Sequence, residues 1–467
     1  MTATERIPLR EKICYGMGDL AGNLYWNTFG TYLLFFYTDV FGISAVAAGT
    51  LFLIAWLLDG AMNPVMGIIA DRTETRLGKF RPYLLWISIP LTVTGVLTFT
   101  TPHLAPEGML VWAYATFVPI MILYAVYSVP YSAMLGVISP NPAERTSLVS
   151  IKFIFSYAGS MIIGGSLLPM ARALGGGNAA RGWQLSFVVY GVAFMILIGF
   201  AFFGTRERLQ PIPLGKTSVI HDLRDLSRNR PWLILALLII AYIFGFGIRG
   251  TITAHYFKYF VGSQTVSLPF CSPRVVSFVA LVSAFNTSGT FSSILGVVFL
   301  NPFARLVGKK RAVGMLATIF LVSNAVFYFL KPDQLMAMFA WNFLGGLSSA
   351  PLFALMWSMI ADVADYSEWK TGRRATGLVF SASLMCTKIG GALRSAAAGW
   401  LLACVGFKPN VAETPEVLHG LVLLMSLIPA AIWAVFLALV YFYPLNEKRL
   451  AEIEFDLRSR RESAAMA

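Results

Sequence analysis

The chain has 467 residues, of which 57% are hydrophobic and only 13% are charged. Soluble proteins usually carry about 25% charged residues, so this composition excludes an ordinary soluble enzyme and indicates a protein with many membrane spans. The formal net charge of +13 requires no nucleic-acid partner, because its placement along the chain explains it.

In chain order, the sequence begins with a polar segment and continues with apolar stretches separated by polar loops. The opening stretch, MTATERIPLREK, lacks the apolar core of a signal peptide, so the first span is expected to remain as an anchor. Hydropathy and helix-breaking residues predict twelve spans, at 12–38, 43–70, 82–101, 108–138, 146–173, 183–204, 231–262, 276–303, 310–330, 334–361, 373–404 and 416–443.

Lysine and arginine are unequally distributed between the two sides of the predicted membrane. With the N-terminus placed in the cytoplasm, 26 of them lie in cytoplasmic segments, 5 in outer loops and 5 within spans. Cytoplasmic loops of membrane proteins carry the excess of these residues. The distribution therefore predicts a multi-pass protein of the plasma (inner) membrane with both termini in the cytoplasm.

An internal repeat divides the chain into two halves. GKFR at 78–81 recurs as GKKR at 308–311, an offset of 230, each time after the second span of its half. The long loop at 206–230 separates six spans from six, and its helically spaced apolar residues, Val219, Ile220, Leu223 and Leu226, predict a surface helix. Two homologous six-helix halves are typical of transporters, with the site between them near the membrane midplane.

The expected fold class is therefore an all-α membrane protein with twelve transmembrane helices in two pseudo-symmetric six-helix bundles. The predicted domains are an N-terminal bundle at 1–204, a cytoplasmic central loop at 205–230, a C-terminal bundle at 231–445 and a cytoplasmic tail at 446–467.

An acidic residue interrupts the second span in the stretch LLDGAMNPVMG. A charge at the membrane centre costs at least about 2.5–3.5 kcal/mol and marks a functional candidate. Asp59 and Asn63 share one helical face, and Pro64 removes the helical partner of the Gly60 carbonyl. Together they offer a carboxylate, an amide oxygen and a carbonyl to a cation or a proton. The alternative is that Asp59 pairs with a basic residue of a neighbouring helix.

Four stretches carry a family resemblance, namely GIIADRTETRLGKFRP, ADVADYSEWKTGRRATG, YGMGDLAGN and YLLFFYTDVFG. The first resembles the loop between the second and third helices in the major facilitator superfamily. The second resembles the glycoside–pentoside–hexuronide:cation symporters of that superfamily, and the other two fit the same family. The resemblance implies the major facilitator fold and uptake of a sugar coupled to a cation.

The resemblance also implies that the stretch around Asp59 is the cation site. The family's first acidic position matches Asp59, whereas its second is Asn63 here and its usual asparagine is Met62. This departure weakens a sodium site and leaves a single protonatable acid. Asp19 is a second coupling candidate, with a structural ion pair as its alternative; at the repeat offset its counterpart is Arg249. No cofactor is expected beyond the coupling proton or sodium ion, and no metal site is predicted.

Several polar positions are implied to contact substrate. The family's sugar permease has sugar-binding acids where this chain has Asn23 and Ser128, an aromatic residue at Ser132 and an arginine at Lys152. Lys388 matches a family lysine, and Phe353 stands at a tryptophan position. The full predicted set is Asn23, Asn27, Ser128, Ser132, Lys152, Phe353, Thr387 and Lys388. The alternative for each polar residue is an interhelical hydrogen bond.

The charges at these positions set an expectation for the substrate. Lys152 and Lys388 are positive, and Asp59 is expected to be neutralised by its coupling ion. The loaded cavity would then favour a neutral or anionic glycoside over an amino sugar. If Asp19 approaches either lysine, one charge is cancelled and a neutral sugar becomes the best ligand.

The expected function is secondary transport of a sugar or glycoside, such as a pentoside or hexuronide, by alternating access. In the resembling family the Asp–Arg pair and trailing basic residues latch the cytoplasmic helix ends, which assigns a gate to Asp71, Arg72, Lys79, Arg81 and Asp365. The sequence contains no ATP-binding motif and no HExxH or GxSxG stretch, so an enzyme is not expected. The alternatives are a lysolipid carrier of the same fold and a non-transporting membrane sensor. The expected partners are the sugar and the lipid bilayer, with the protein a monomer.

Overall fold

The structure, a computed structural model, describes residues 7–139, 142–208, 226, 228–266, 273–371 and 376–466. Its first part contains α1 (Leu9–Thr31), α2 (Leu33–Phe36), α3 (Ala45–Arg72), α4 (Arg81–Thr98), α5 (Pro106–Ile138), α6 (Pro142–Gly175) and α7 (Ala179–Gly204). Its second part contains α8 (Arg230–His255), α9 (Phe278–Val307), α10 (Lys309–Ala325), α11 (Leu335–Thr371), α12 (Thr376–Cys404), α13 (Pro415–Met425), α14 (Leu427–Phe442) and α15 (Glu447–Met466). A short antiparallel hairpin joins α8 to α9 through β1 (Gln264–Val266) and β2 (Arg274–Val276).

Described helices lie at the places of the predicted spans, and the count of twelve membrane crossings stays a prediction. In the part of the chain that the structure describes, nine helical segments are long and apolar enough to cross a membrane. The remaining predicted spans, 12–38, 82–101 and 373–404, coincide with α1, α4 and α12. These are less apolar because α1 carries Asp19 and two asparagines, α4 begins with an arginine, and α12 carries Lys388. The surface helix predicted in the central loop lies outside the described residues, apart from Leu226.

The chain packs into two compact units. Unit 1 comprises Met1–Pro213, Gly250–Thr290 and Ser395–Leu421, and unit 2 comprises Leu214–Arg249, Phe291–Arg394 and Val422–Ala467. These units are defined by packing, whereas the domains expected from the sequence are defined by the repeat. The predicted domain boundaries therefore stay a prediction.

Aromatic side chains form much of the interior of each unit. In unit 1, Phe99 stacks on Phe187 and on Trp183, with nearly parallel rings. In unit 2, Trp433 packs against Tyr242 and Phe320. The tail helix α15 contributes buried apolar residues to the unit 2 core, so this helix is part of the unit.

The two copies of the basic motif have similar local structures. The Glu207 carboxylate accepts the backbone N–H groups of Lys79, Phe80 and Arg81 at 2.7–2.8 Å. The Arg81 guanidinium donates to the Phe202 carbonyl at 2.6 Å, at the end of α7. A carboxylate at a helix N-terminus and a cation at a helix C-terminus are both favourable.

The second copy has a similar arrangement, although its cation, Lys310, stands at the motif position of Phe80 and not of Arg81. Glu447 accepts the backbone N–H of Lys310 at 3.3 Å, and the Lys310 ammonium donates to the Tyr443 carbonyl at 2.6 Å. The motif glycines, Gly78 and Gly308, both adopt positive φ, at 113° and 86°, a conformation that L side chains rarely adopt. The first motif therefore ties α4 to the end of α7, and the second ties α10 to the end of α14.

Candidate functional site

A line of polar contacts joins α1 to α6 inside unit 1. The Lys152 ammonium lies 3.5 Å from the Asp19 carboxylate. Asn23 donates to the Ser156 hydroxyl at 2.8 Å, and Asn27 donates to the Ser160 hydroxyl at 2.9 Å. We call these six residues the polar ladder.

The geometry of the ladder follows from helical spacing. Its members recur every four residues on each helix, so they share one face of α1 and one face of α6. Asn23 lies 133 residues from Ser156, and Asn27 lies 133 residues from Ser160. A constant separation means that the two helices run parallel and in register.

Additional bonds fix the α1 face of the ladder. The Asn23 amide also donates to the Asp19 backbone carbonyl at 2.9 Å and to its carboxylate at 3.2 Å. The Asn27 amide donates to the Asn23 side-chain oxygen at 3.0 Å. All three side chains are only partly buried. The ladder is thus a pre-ordered row of amides and hydroxyls that a solute can reach.

A glycine permits the close approach of the two helices. A Cβ atom placed on Gly159 would lie 3.0 Å from both the Asn23 Cβ and the Leu20 carbonyl oxygen. Small residues at such crossings let membrane helices pack backbone to backbone. The short hydrogen bonds of the ladder depend on this approach.

Tyrosines of α5 hold the other side of α1. The Tyr131 hydroxyl donates to the Tyr15 carbonyl at 2.6 Å, and the Tyr127 hydroxyl donates to the Gly18 carbonyl. Both tyrosines are buried, so they serve to position α1. The Lys152 ammonium also lies 5.5 Å from the centre of the Tyr131 ring, within the range of a cation–π interaction.

An aromatic wall continues from the ladder towards α3. Trp26 stacks on Tyr124, with ring centres 5.5 Å apart and an angle of 25°, and meets Trp56 edge to face at 4.6 Å. Trp26 lies one residue before Asn27 and is partly exposed. Sugar rings present flat C–H faces, and an indole next to amides offers a surface for such a face.

Asp59 is completely shielded from solvent at 0% exposure. It lies on α3, one helical turn after Trp56, and both Asp59 and Asp19 are close enough to Tyr124 to interact with it electrostatically. Gly60 and Asn63 are partly buried on the same helix, and α3 continues through Pro64. Among the described residues, no three His, Cys, Asp or Glu side chains form a group that could hold a metal ion.

The other predicted substrate residues have different surroundings. Ser128 is partly buried and Ser132 is exposed on α5. Phe353 belongs to unit 2, where its ring stacks on Tyr242 at 5.1 Å. The Thr387 hydroxyl donates to the Leu384 carbonyl of its own helix at 2.6 Å. Lys388 is partly buried in unit 2.

The predicted gate residues lie at helix ends. Lys79 and Arg81 belong to the motif that ties α4 to α7 within unit 1, which gives them a structural position. Arg72 is exposed at the end of α3, and Asp365 is partly buried near the end of α11. The side chain of Asp71 lies outside the described residues. A gating role for this set stays a prediction.

Arg249, which stands 230 residues after Asp19, has partners within unit 2. Its guanidinium donates to the Asn324 and Asn342 side-chain oxygens at 3.1 and 3.4 Å and lies over the Phe327 ring at 4.4 Å. Asp19 instead pairs with Lys152 in unit 1.

Apolar membrane-length helices, an internal repeat and a partly exposed polar ladder within the spans define a membrane transporter. The chain belongs to the family described as MFS/sugar transport protein, whose profile matches residues 14–447. It is a multi-pass membrane protein of the major facilitator superfamily, a family of transporters and not of enzymes.

Relatives in sequence and in fold agree with this membership. The chain is 33% identical to the inner membrane symporter YicJ of Escherichia coli, over 91% of this chain and 90% of that protein. It is 32% identical to the isoprimeverose transporter of Lactiplantibacillus pentosus, over 96% and 92%. A solved bacterial homologue of the human lysosomal transporter Spinster, inward-facing and occupied, superposes with a TM-score of 0.67 at 15% identity, over 93% of this chain and 95% of that one.

Proposed function

We propose that this protein imports an uncharged sugar or glycoside together with a proton by alternating access. The observation that carries the substrate class is the ion pair between Lys152 and Asp19. It neutralises the lysine that would otherwise attract an anionic substrate. The groups that remain on the ladder are amides and hydroxyls, which suit sugar hydroxyls, and Trp26 offers an aromatic face beside them.

The relatives support sugar transport over the alternatives of lysolipid carriage and sensing. One is named as a symporter and another as a transporter of isoprimeverose, which is an uncharged sugar. A carrier of this kind uses a gradient of one solute to drive another, so it needs a group that binds and releases the coupling ion.

Asp59 fits the role of the coupling group. An ionised carboxylate at 0% exposure is costly in a low-dielectric interior, so it favours a bound proton or cation. A proton is favoured over sodium because the second family acid is replaced by Asn63 and the usual asparagine by Met62. Protonation of Asp59 would remove the charge that opposes rearrangement of α3.

We further infer that both termini face the cytoplasm and that the ends of α2 and α8 face outward. The excess of lysine and arginine in loops on the side of the termini supports this orientation. The inner membrane is the expected location because the relative YicJ is named as an inner membrane protein.

The proposal is tested by uptake into proteoliposomes with an imposed pH or sodium gradient, using a panel of glycosides. We expect accumulation of a neutral glycoside with an inwardly directed proton gradient and none with a sodium gradient alone. Competition by a glucoside against its matching glucuronide, in the natural protein and in Lys388→Gln, tests the charge argument. A clear advantage of the glucuronide in the natural protein would contradict it.

A further inference from the structure

A second polar cluster lies in unit 1, away from the ladder, and centres on Asp39. The Lys258 ammonium donates to one carboxylate oxygen of Asp39 at 2.6 Å, and the Tyr259 hydroxyl donates to the same oxygen. The Thr38 hydroxyl donates to the other oxygen at 2.7 Å. The Asp39 side chain is only 1% exposed.

A loop residue closes over this cluster. The Asn410 amide donates to the Asp39 backbone carbonyl at 2.8 Å, and its side-chain oxygen accepts from Lys258 at 2.6 Å. Asn410 is the one non-glycine residue with positive φ, at 61°, in the part of the chain that the structure describes. Such a backbone conformation persists only where surrounding contacts hold it.

The pair of Asp39 and Lys258 joins two turns of the same type that are far apart in the chain. A π-helical turn at Tyr37–Phe41 follows α2, and another at Tyr256–Val261 follows α8; both end at a glycine with positive φ. Asp39 and Lys258 are each the third residue of their turn. Turns of this type are often found at functional sites. The two turns therefore carry opposite charges at the same position, and these charges pair with each other.

His255 completes the cluster from the end of α8. It is 0% exposed and packs edge to face against the rings of Phe35 and Phe407, with ring centres 5.3 Å away. Its Nε2 atom lies 3.0 Å from the Thr38 hydroxyl oxygen and 3.4 Å from the Asp39 carboxylate. The Thr38 hydroxyl has two oxygen acceptors for its hydrogen, the Asp39 carboxylate at 2.7 Å and the Leu34 carbonyl at 3.0 Å. We therefore assign the ring proton to Nε2, which then donates towards the Thr38 oxygen and the Asp39 carboxylate.

The other ring nitrogen is in a different situation. Nδ1 of His255 is buried and makes no hydrogen bond with the residues that the structure describes. When Nδ1 carries no proton, its burial between the aromatic rings costs little free energy. Protonation would create a buried N–H donor without an acceptor, which is unfavourable.

The surrounding charges favour the same neutral state. Lys258 balances the charge of Asp39. In the neighbouring loop the Glu413 carboxylate accepts the backbone N–H of Lys408 at 3.1 Å, and the side chains of Glu413 and Lys408 are an acid and a base whose charges also cancel. With His255 neutral, the cluster carries no net charge. A proton on His255 would add an uncompensated positive charge next to Lys258 in a buried site.

We propose that His255 is a proton-binding site separate from the transport site, and that its protonation releases the contact among Asp39, His255, Lys258, Tyr259 and Asn410. We call these residues the Asp39 latch. The released form exposes His255 to water and binds the proton more tightly than the closed form. Lower pH on the outer side of the membrane, which the ends of α2 and α8 are inferred to face, therefore favours separation of the helix ends that the latch joins.

The experiment measures the accessibility of a buried cysteine beside the latch. Thr251, one turn before His255, is buried and its hydroxyl donates to the Gly30 carbonyl at 2.9 Å. Thr251→Cys is made in a background in which the native cysteines are changed to serine, and is labelled with a maleimide in nanodiscs, where both membrane faces are accessible. Rates are divided by those of Val275→Cys, which is exposed on β2, to remove the pH dependence of thiol chemistry.

We expect the normalised rate to rise about tenfold from pH 7.5 to 5.5, because the proton binds preferentially to the released form and shifts the population towards it. In His255→Gln the rate should not depend on pH. In Lys258→Gln a protonated His255 would balance Asp39, so the rate should fall as the pH falls.

Two outcomes overturn the proposal. One is a normalised rate that does not change with pH in the natural latch. The other is the same pH dependence in His255→Gln as in the natural latch. If His255→Gln fails to fold, the Lys258→Gln variant decides, since an unaltered rise at low pH in that variant also contradicts the charge argument. Substrate is not needed, so the result is independent of the proposed sugar.

Discussion

The ion pair of the ladder makes a strong prediction about substrate charge. Asp19→Asn keeps the shape of the side chain but removes the charge that compensates Lys152. The site should then become positive and should prefer an anionic glycoside. Lys152→Gln should have the opposite effect, because it leaves the Asp19 carboxylate uncompensated. The double variant should return to the preference of the natural protein.

The magnitude follows from the distance and the exposure of the pair. At the observed 3.5 Å, the Coulomb energy at an effective dielectric constant of about 20 is roughly 5 kcal/mol. Exposures of 25% for Lys152 and 15% for Asp19 allow water to screen this energy. We therefore expect an effect of about 2 kcal/mol, or roughly thirtyfold in the ratio of Kd values.

The assay is binding of a glucoside and its matching glucuronide to purified protein, expressed as the ratio of their Kd values. Glu144→Gln is a matched control, because Glu144 forms another ion pair between α6 and α1, with Lys12 at 2.8 Å. Its ratio should stay at the natural value. The reasoning is refuted if Asp19→Asn changes the ratio less than about threefold, or if both single variants shift it in the same direction.

Three further predictions concern coupling, capping and packing. Asp59→Asn should abolish proton-driven accumulation in vesicles but retain substrate exchange, because an amide cannot release a proton; accumulation at the natural level would make Asp59 structural. Glu207→Gln should reduce the free energy of unfolding by about 2 kcal/mol, and so lower the melting temperature, because it weakens three charge-assisted bonds. The exposed Glu74→Gln should have no such effect, and equal melting of the two would contradict the capping role. Gly159→Leu should reduce folded yield in size-exclusion chromatography, whereas Gly199→Leu, where a Cβ meets nothing within 4 Å, should be tolerated; equal yields would argue against the close helix contact.

Much of the architecture can be predicted from the sequence because hydropathy and charge act along the chain. Apolar length identifies the spans, and four-residue spacing places Asn23 and Asn27 on one face of α1. The repeat of GKFR and GKKR likewise marks two places where a glutamate accepts backbone N–H groups at the start of a helix.

Contacts between helices are harder to predict. Spacing within α1 and within α6 shows which residues share a face, but it does not give the register between the helices. The sequence therefore leaves open whether Asp19 approaches Lys152 or Lys388. Ser156 and Ser160 carry no signal of their own, since serines are common in membrane helices and gain meaning only beside Asn23 and Asn27.

The Asp39 latch was missed for a similar reason. His255 stands among aromatic residues in TAHYFKYF, and nothing there indicates a partner more than two hundred residues away. A signal does exist in the paired stretches YTDVFG and YFKYFVG, which carry opposite charges at their third positions. It becomes visible only when the two halves are aligned through their terminal glycines, Gly42 and Gly262.

The regular spacing of the ladder has a consequence for how α1 and α6 find their alignment. Amides and hydroxyls that recur every four residues could exchange partners if one helix slipped by a turn, about 6 Å. Asn23, for example, could then meet Ser160 instead of Ser156. The ion pair of Asp19 and Lys152 does not repeat along the helices, so it distinguishes one alignment from its neighbours, as a single polar residue does in a coiled coil. The ion pair thus specifies the alignment of α1 and α6 during folding. A chain that lost both charges would keep its hydrogen-bonding groups but would lose the contact that selects one pairing among several.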